Sequence, residues 1–218
     1  MSRDPDLDLL EAWRTGDERA AGELLQKYSP LVRRVVARKV PDEAIDGVVD
    51  RVIEAVIKGH CGFRADSKFR TFILSITKRS IAEFYRQRER KPDFDALASS
   101  VRDLGVSPSG LLFKREQQRL LLEALRSIPL GDQILLELYE WEDMPASELA
   151  QVYECGVPAI RSRLRRAKER LKEAARSFVE DRRELVDTVT TLDEWLRHLR
   201  EELRPHYLAE LRAAKKAP

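Results

Sequence analysis

Ser147-Glu148-Leu149-Ala150-Gln151-Val152-Tyr153-Glu154-Cys155-Gly156-Val157-Pro158-Ala159-Ile160-Arg161-Ser162-Arg163-Leu164-Arg165-Arg166-Ala167-Lys168 reads as a short helix, a tight turn and a longer helix crowded with arginine. Glu148, early in the first segment, suits the positive end of a helix dipole, and Glu154-Cys155-Gly156 supplies the turn. Pro158 fits a helix start because an early helical N–H has no partner within the helix. Ile160, Leu164, Ala167 and Leu171 fall at steps of four and three, which predicts one buried stripe with basic residues on the other faces.

Between residues 159 and 176 stand eight Lys/Arg (Arg161, Arg163, Arg165, Arg166, Lys168, Arg170, Lys172, Arg176) against Glu169 and Glu173. The whole chain carries only +2, so the charge is concentrated here. A charge run alone is usually a solvated helix face. A basic helix that follows a helix and a tight turn, and carries an apolar stripe on its back, is instead the arrangement that lies in a DNA major groove. There phosphate contacts position the helix and a few side chains read base edges.

The rest of the chain is compatible with that reading. Its 218 residues are 36% charged and 43% hydrophobic, a globular composition long enough for one domain or two small ones. No apolar run approaches the roughly 20 residues of a membrane span. Met1-Ser2-Arg3-Asp4-Pro5-Asp6 has no apolar signal core, so a cytoplasmic protein without membrane insertion is expected. Cys61 and Cys155 stand apart, and His60-Cys61 lacks further ligands because His198 and His206 lie in a distant segment. No Gly-rich phosphate loop or nucleophile–base arrangement is evident. Neither a metal, a cofactor nor an enzymatic activity is expected.

Helical periodicity runs throughout and predicts an all-α fold. Leu7, Leu9, Leu10 and Trp13 make a first short helix ended by Thr15-Gly16, and Asp17 caps the next. Pro30 breaks or restarts that second helix. Residues 42–58 carry Ile45, Val48, Val49, Val52, Ile53, Val56 and Ile57, apolar around much of the circumference. Such a helix is either central in its bundle, the commoner case, or presents a second apolar face to a partner. After Gly59-His60-Cys61-Gly62, a loop leads to a helix capped by Asp66 or Ser67, in which Phe69, Phe72, Ile73, Ile76, Ile81 and Phe84 face inward. Lys68, Arg70, Lys78, Arg79, Arg86, Arg88, Arg90 and Lys91 make this a second basic element. Its aromatics suit single-stranded nucleic acid, where bases stack on rings and cations track the backbone, and core packing accounts for most of them equally well.

Proline, serine, glycine and aspartate between residues 92 and 110 mark a linker. The chain therefore divides into a helical domain (1–91), a flexible linker (92–110), a helix-turn-helix domain (111–176) and a helical C-terminal tail (177–218). Glu137, Glu140, Glu142, Asp143 and Glu148 form an acidic patch upstream of the reading helix. It would repel phosphates, so it is expected to point away from DNA or toward a protein. The tail's Leu192, Trp195, Leu196, Leu199 and Leu203 make an apolar stripe that needs a cover.

Two such domains, the first carrying Phe63-Arg64-Ala65-Asp66-Ser67-Lys68-Phe69-Arg70-Thr71-Phe72 and the second ending in Ala159-Ile160-Arg161-Ser162-Arg163-Leu164-Arg165-Arg166-Ala167, resemble an extracytoplasmic-function (ECF) sigma factor of bacterial RNA polymerase. The likeness spans roughly residues 6–176 and is absent from the tail. It implies a region 2-like bundle that grips core RNA polymerase and opens the −10 element, and a region 4-like domain that reads the −35 element as duplex. Val48, Val49, Asp50, Arg51, Val52 and Ile53 fall where the family binds the polymerase clamp. Phe63, Arg64, Asp66, Ser67 and Lys68 fall where it captures an unstacked base, with Lys78 and Arg79 on the melting helix. Arg161, Ser162, Arg165 and Arg166 fall where it reads −35. The chain departs from the family pattern at Asp50-Arg51 (usually Gln-Glu), Arg79 (often Asn), Glu154 (usually Gly) and Pro158-Ala159 (for Gly-Thr).

The implied function is promoter specificity without chemistry. The implied partners are core polymerase, promoter DNA and, as an open question, an anti-sigma factor or other regulatory protein. A stand-alone helix-turn-helix transcriptional regulator, or a protein-interaction adaptor derived from the same fold, remains the alternative.

Overall fold

The computed structural model describes residues 5–64, 66–89, 95–99 and 123–180, with side chains through 177. The expectations for most of the 92–110 linker, for residues 111–122 and for the Trp195 stripe of the tail lie outside the described residues. The regular structure is helical: α1 (Pro5–Arg14), α2 (Glu18–Ala37), α3 (Asp42–Gly59), α4 (Phe69–Glu89), a helical stretch at 123–127, α5 (Leu130–Glu140), α6 (Ala146–Val152) and α7 (Val157–Glu180), with a 3-10 turn at His60–Gly62.

Local sequence explains most of these boundaries. Gly16 ends the α1 connection at φ +101, a backbone conformation that costs glycine little, and the Asp17 carboxylate accepts from the N–H groups of Arg19 and Ala20 to cap α2. Asp6, itself buried, accepts from Tyr28 Oη and pairs with Lys27, tying α1 to α2. Pro30 does not break α2. The helix runs through it because Leu24 and Tyr28 before the proline and Leu31, Val32, Val35 and Val36 after it share one buried stripe. An interior proline costs about 3 kcal/mol, and burying each large apolar side chain returns about 1.5–3 kcal/mol. Nor do Asp66 or Ser67 stand next to α4, whose first helical residue is Phe69.

Val48, Val52 and Val56 of α3 are fully buried against the bundle, whereas Val49 and Ile53 are half-buried and Ile57 is 46% exposed. The helix is thus both central and apolar on its outer side.

The two groups of helices pack together through α4 and α6, and Lys39, Arg34 and Arg70 of the first reach Glu137 and Glu142 of the second. Every residue from Leu130 to Leu138 is buried, Asp132, Gln133 and Glu137 included. This is what an element covered by α7 on one side and by the first domain on the other must look like. Residues 95–99, read from sequence as linker, lie on the start of α5: Leu130 N–H donates to Ser99 O (2.8 Å) and Gly131 N–H to Leu97 O (2.9 Å). A Cβ at Gly131 would sit 3.0 Å from Leu97 O, so glycine is what permits this approach.

Candidate nucleic-acid interface

The turn between α6 and α7 is built by the backbone. Tyr153 N–H donates to Leu149 O, Cys155 N–H donates to Ala150 O, and Glu154 adopts φ +54. A left-handed conformation costs a non-glycine residue roughly 1–2 kcal/mol. The geometry is the one a glycine would take without strain, so the departure at Glu154 leaves the turn intact and gives it a carboxylate.

From this turn α7 emerges with Ile160, Leu164, Ala167 and Leu171 buried, as their spacing predicts. Three of its cations serve the fold. Arg163 reaches the buried Asp132 carboxylate (3.3 Å), Arg170 pairs with the same group, and Lys168 pairs with Glu140 (2.8 Å). Tyr153 lies between the Arg163 guanidinium and the Lys78 ammonium (4.8 and 4.5 Å to the ring centroid) and donates to Gly131 O (2.8 Å). Burial pushes its phenol well above the ordinary value, so it stays a neutral donor. Arg161, Ser162, Arg165 and Arg166 are all exposed and share one outward face, where Arg165 has only an exposed i,i+4 contact with Glu169 (3.4 Å).

The loop of the first domain is pinned from behind. Arg14 donates to His60 O (3.0 Å) and to Phe63 O, and Trp13 stacks on the His60 ring at 3.9 Å. His60 Nδ1 contacts Ile57 O (2.6 Å), which orients the ring. Nothing in the local sequence marked Arg14, because its partners lie 46 and 49 residues away. Phe63 is buried and stacks on Phe72 (4.7 Å), so its ring is a wall rather than a free platform. Arg64, Asp66 and Lys68 are exposed and Ser67 is half-buried. Phe63, Asp66, Ser67, Thr71, Phe72 and Ser75, together with Gln151 of α6, line an open cleft of about 290 Å³. Thr71 Oγ1 is buried there without a hydrogen-bond partner.

The remaining expected melting residues point at the second domain. Lys78 is 8% exposed and donates to Val152 O (2.8 Å), and burial lowers its pKa with Glu154 partly opposing the shift. Arg79, exposed, pairs with Glu154, whose carboxyl it holds below the usual range. Lys68 pairs with Glu148 (2.6 Å).

Behind this rim Glu137, Glu142 and Glu148 of the acidic patch meet cations of the first domain, while Glu140 pairs with Lys168 of α7. Glu142 takes a two-pronged contact from Arg34 (2.8 and 2.9 Å), Arg70 donates to Glu142 O (2.6 Å), and Glu137 meets Lys39 with both side chains no more than 2% exposed. Burial lowers the Lys39 pKa, against the pull of Glu137. Three carboxylates of the patch thus face this chain's own first domain, and Glu140 faces α7.

Of the clamp positions, Val48 and Val52 are core, Val49 and Ile53 are half-buried on the outer side, and Asp50 and Arg51 are exposed. Arg51 donates to Gln87 Oε1 (3.1 Å). Among the described residues no group of three His, Cys, Asp or Glu could hold a metal ion, and no helix is long and apolar enough to cross a membrane.

Residues 24–91 match the Sigma-70 region 2 family and residues 118–171 match the family Sigma-70, region 4. The chain is similar to the ECF RNA polymerase sigma-E factor of Escherichia coli (strain K12), 25% identical over 180 residues that cover 78% of this chain and 94% of that one. It is also similar to the sigma-E factor of Haemophilus influenzae, 24% identical over 176 residues, 77% and 93% of the two chains. Its fold is shared with CnrH, solved with the cytosolic domain of CnrY (TM-score 0.57, 20% identity, 80% of this chain and 99% of that one). The same holds for RpoE, solved with the anti-sigma factor NepR from Bartonella quintana (TM-score 0.53, 17% identity, 71% and 96%). Two sigma-70 regions in order, a helix-turn-helix with an exposed arginine face and an aromatic cleft on the preceding domain place this chain in the family of ECF sigma factors.

Proposed function

We propose that this sigma factor binds core RNA polymerase through the outer side of α3, reads a −35 element with α7, and captures an extruded base of the −10 element in the cleft beside Phe63. It acts by binding alone, in the cytoplasm. Half-buried Val49 and Ile53 with exposed Ile57 give α3 the apolar outer strip that a protein interface needs, flanked by Asp50 and Arg51. Arg161, Ser162, Arg165 and Arg166 offer phosphate and base-edge donors on a single helix face. The cleft supplies aromatic walls and the unused Thr71 hydroxyl, a setting in which stacking and hydrogen bonding offset the cost of unstacking a base.

The observation that carries this reading is the division of labour: an exposed arginine face on one domain and an aromatic cleft with cations at its rim on the other. The partners are core polymerase and promoter DNA. A regulatory protein of the kind solved with the two structural relatives is a third. Mixing the full chain with core polymerase tests it: co-elution and permanganate-reactive thymines upstream of a start site are expected. Duplex binding without retention of polymerase would favour a stand-alone regulator, and neither activity would favour an adaptor.

A further inference from the structure

We propose that Asp132 and Glu140 of α5 are positioning residues that set the duplex-sequence specificity of this chain without touching DNA, by holding α7 at both flanks so that one arc of it meets the groove. The inference rests on the duplex-reading role of α7 above and adds what aims that helix.

At 3.6 residues per turn, each step along α7 turns about 100°. Measured from Ile160 in the buried stripe, Arg163 and Arg170 fall about 60–80° to one side and Lys168 about 80° to the other. Arg161, Ser162, Arg165 and Arg166, all exposed, occupy the arc left between those flanks.

Helix α5 grips both flanks. The Asp132 carboxylate, 3% exposed, accepts from Arg163 Nε on one oxygen (3.3 Å) and from Arg170 Nη1 on the other. Glu140, at the far end of the same helix, pairs with Lys168 Nζ (2.8 Å). Arg163 also lies over the Tyr153 ring, and Tyr153 donates to Gly131 O, so the turn before α7 is tied to the same point. An apolar stripe is a non-directional contact and does little to fix the roll of a helix. Ion pairs on opposite flanks oppose roll in both senses.

The same carboxylates also withhold charge. Arg163, Arg170 and Lys168 keep 35%, 52% and 32% of their side-chain surface exposed, enough to reach a phosphate once released. Phosphate contacts strengthen binding to every sequence alike, whereas base-edge contacts discriminate. Asp132 and Glu140 therefore hold back three cations that would favour all duplexes equally.

Asp132→Asn keeps the shape of the side chain and removes its charge, and Glu140→Gln does the same at the more exposed pair. Glu173→Gln, at an exposed position of α7, adds the same charge without releasing any of the three cations and is the control. The unaltered full chain first selects from a random duplex library. The enriched duplex and a shuffled version of it are then titrated with every chain across a range of salt, with circular dichroism reporting the fold.

Asp132→Asn should lower the preference for the enriched duplex about tenfold. It should bind the shuffled duplex more tightly, with a salt slope steeper by up to about 1.8, or about 0.9 for each phosphate newly met. Glu140→Gln should move both in the same sense, its slope by up to about 0.9. Glu173→Gln should leave the preference unchanged. A preference retained by either folded flank variant overturns the proposal and leaves duplex reading standing, and so does an equal loss with Glu173→Gln. Weaker binding of both duplexes at an unchanged slope is a merely structural effect and overturns it as well. If Asp132→Asn loses its helical signal, Glu140→Gln alone decides. A library from which the unaltered chain enriches nothing overturns duplex reading and the proposal together.

Discussion

Glu137→Ala removes the carboxylate that faces a Lys39 ammonium only 1% exposed, at the contact between the two domains. Breaking a buried pair by deleting one partner costs about 3–5 kcal/mol, because the other charge is left without water or a counter-ion. Arg38 adds a further positive charge near the site, 3.8 Å from Glu137, so nothing nearby compensates Lys39. The loss should fall near the middle of that range, a large share of the roughly 5–15 kcal/mol stability of a typical domain. The double variant Lys39→Met, Glu137→Leu removes both charges and should recover to within about 1 kcal/mol of the unaltered chain. Urea unfolding followed by circular dichroism measures all three.

The pH dependence gives a second signature of the same variant. Burial depresses the Lys39 pKa from its ordinary 10.5, and losing Glu137 removes the largest influence that holds it up. The unfolded chain then binds the proton more tightly than the folded one, so stability rises with pH. The defect is largest at neutral pH and closes as pH approaches 10.5. If the two domains do not pack in solution, Glu137 is a surface residue and its loss stays within about 0.5 kcal/mol. That result, without recovery in the double variant, would refute the packing described here.

Three further outcomes follow from particular contacts. Arg79 holds the Glu154 carboxyl below its ordinary 4.5, so this pair contributes at pH above about 4.5 and is lost as pH falls through the depressed value; the distance between spin labels on the exposed Cys61 and Cys155 should lengthen there and not at neutral pH. Gly131→Ala places a Cβ 3.0 Å from Leu97 O and 2.6 Å from Arg163 Nη2, and should lower stability by about 1–3 kcal/mol in thermal denaturation. Arg165→Ala and Arg166→Ala, both at exposed positions, should each cost about 1–3 kcal/mol at one promoter position if the side chain reads a base; a uniform loss with a shallower salt slope in duplex titrations identifies a phosphate contact instead.

What was legible in the sequence was whatever has a local signature. The Ile160, Leu164, Ala167, Leu171 stripe repeats at helical spacing and is buried, and Asp17 caps its helix because a carboxylate beside free N–H groups acts within three residues. Pro30 signals a break because its local cost is visible in sequence, while the stripe that carries the helix through it is stabilised by partners far along the chain. The same limit hid the roles of Arg163 and Arg170. On a charge count they belong to the basic face, yet Asp132, more than thirty residues earlier, draws them inward.

The domain contact was half legible. The acidic patch could be expected to avoid DNA, but Lys39 and Glu137 are 98 residues apart and no spacing rule links them. In the cleft, residues 63–68 announced themselves by motif. The pinning Arg14 and the Gln151 that joins the cleft's lining come from elements remote in sequence and carry no such mark.

Run-off transcription with purified core polymerase, on a library of promoter fragments, asks most directly whether two DNA surfaces on one chain select a start site. Discrete transcripts that appear only with the full chain, and vanish when Arg165 and Arg166 are both replaced by alanine, are the result predicted. Transcripts unchanged by that replacement, or none from any fragment while the chain still binds duplex, would contradict it.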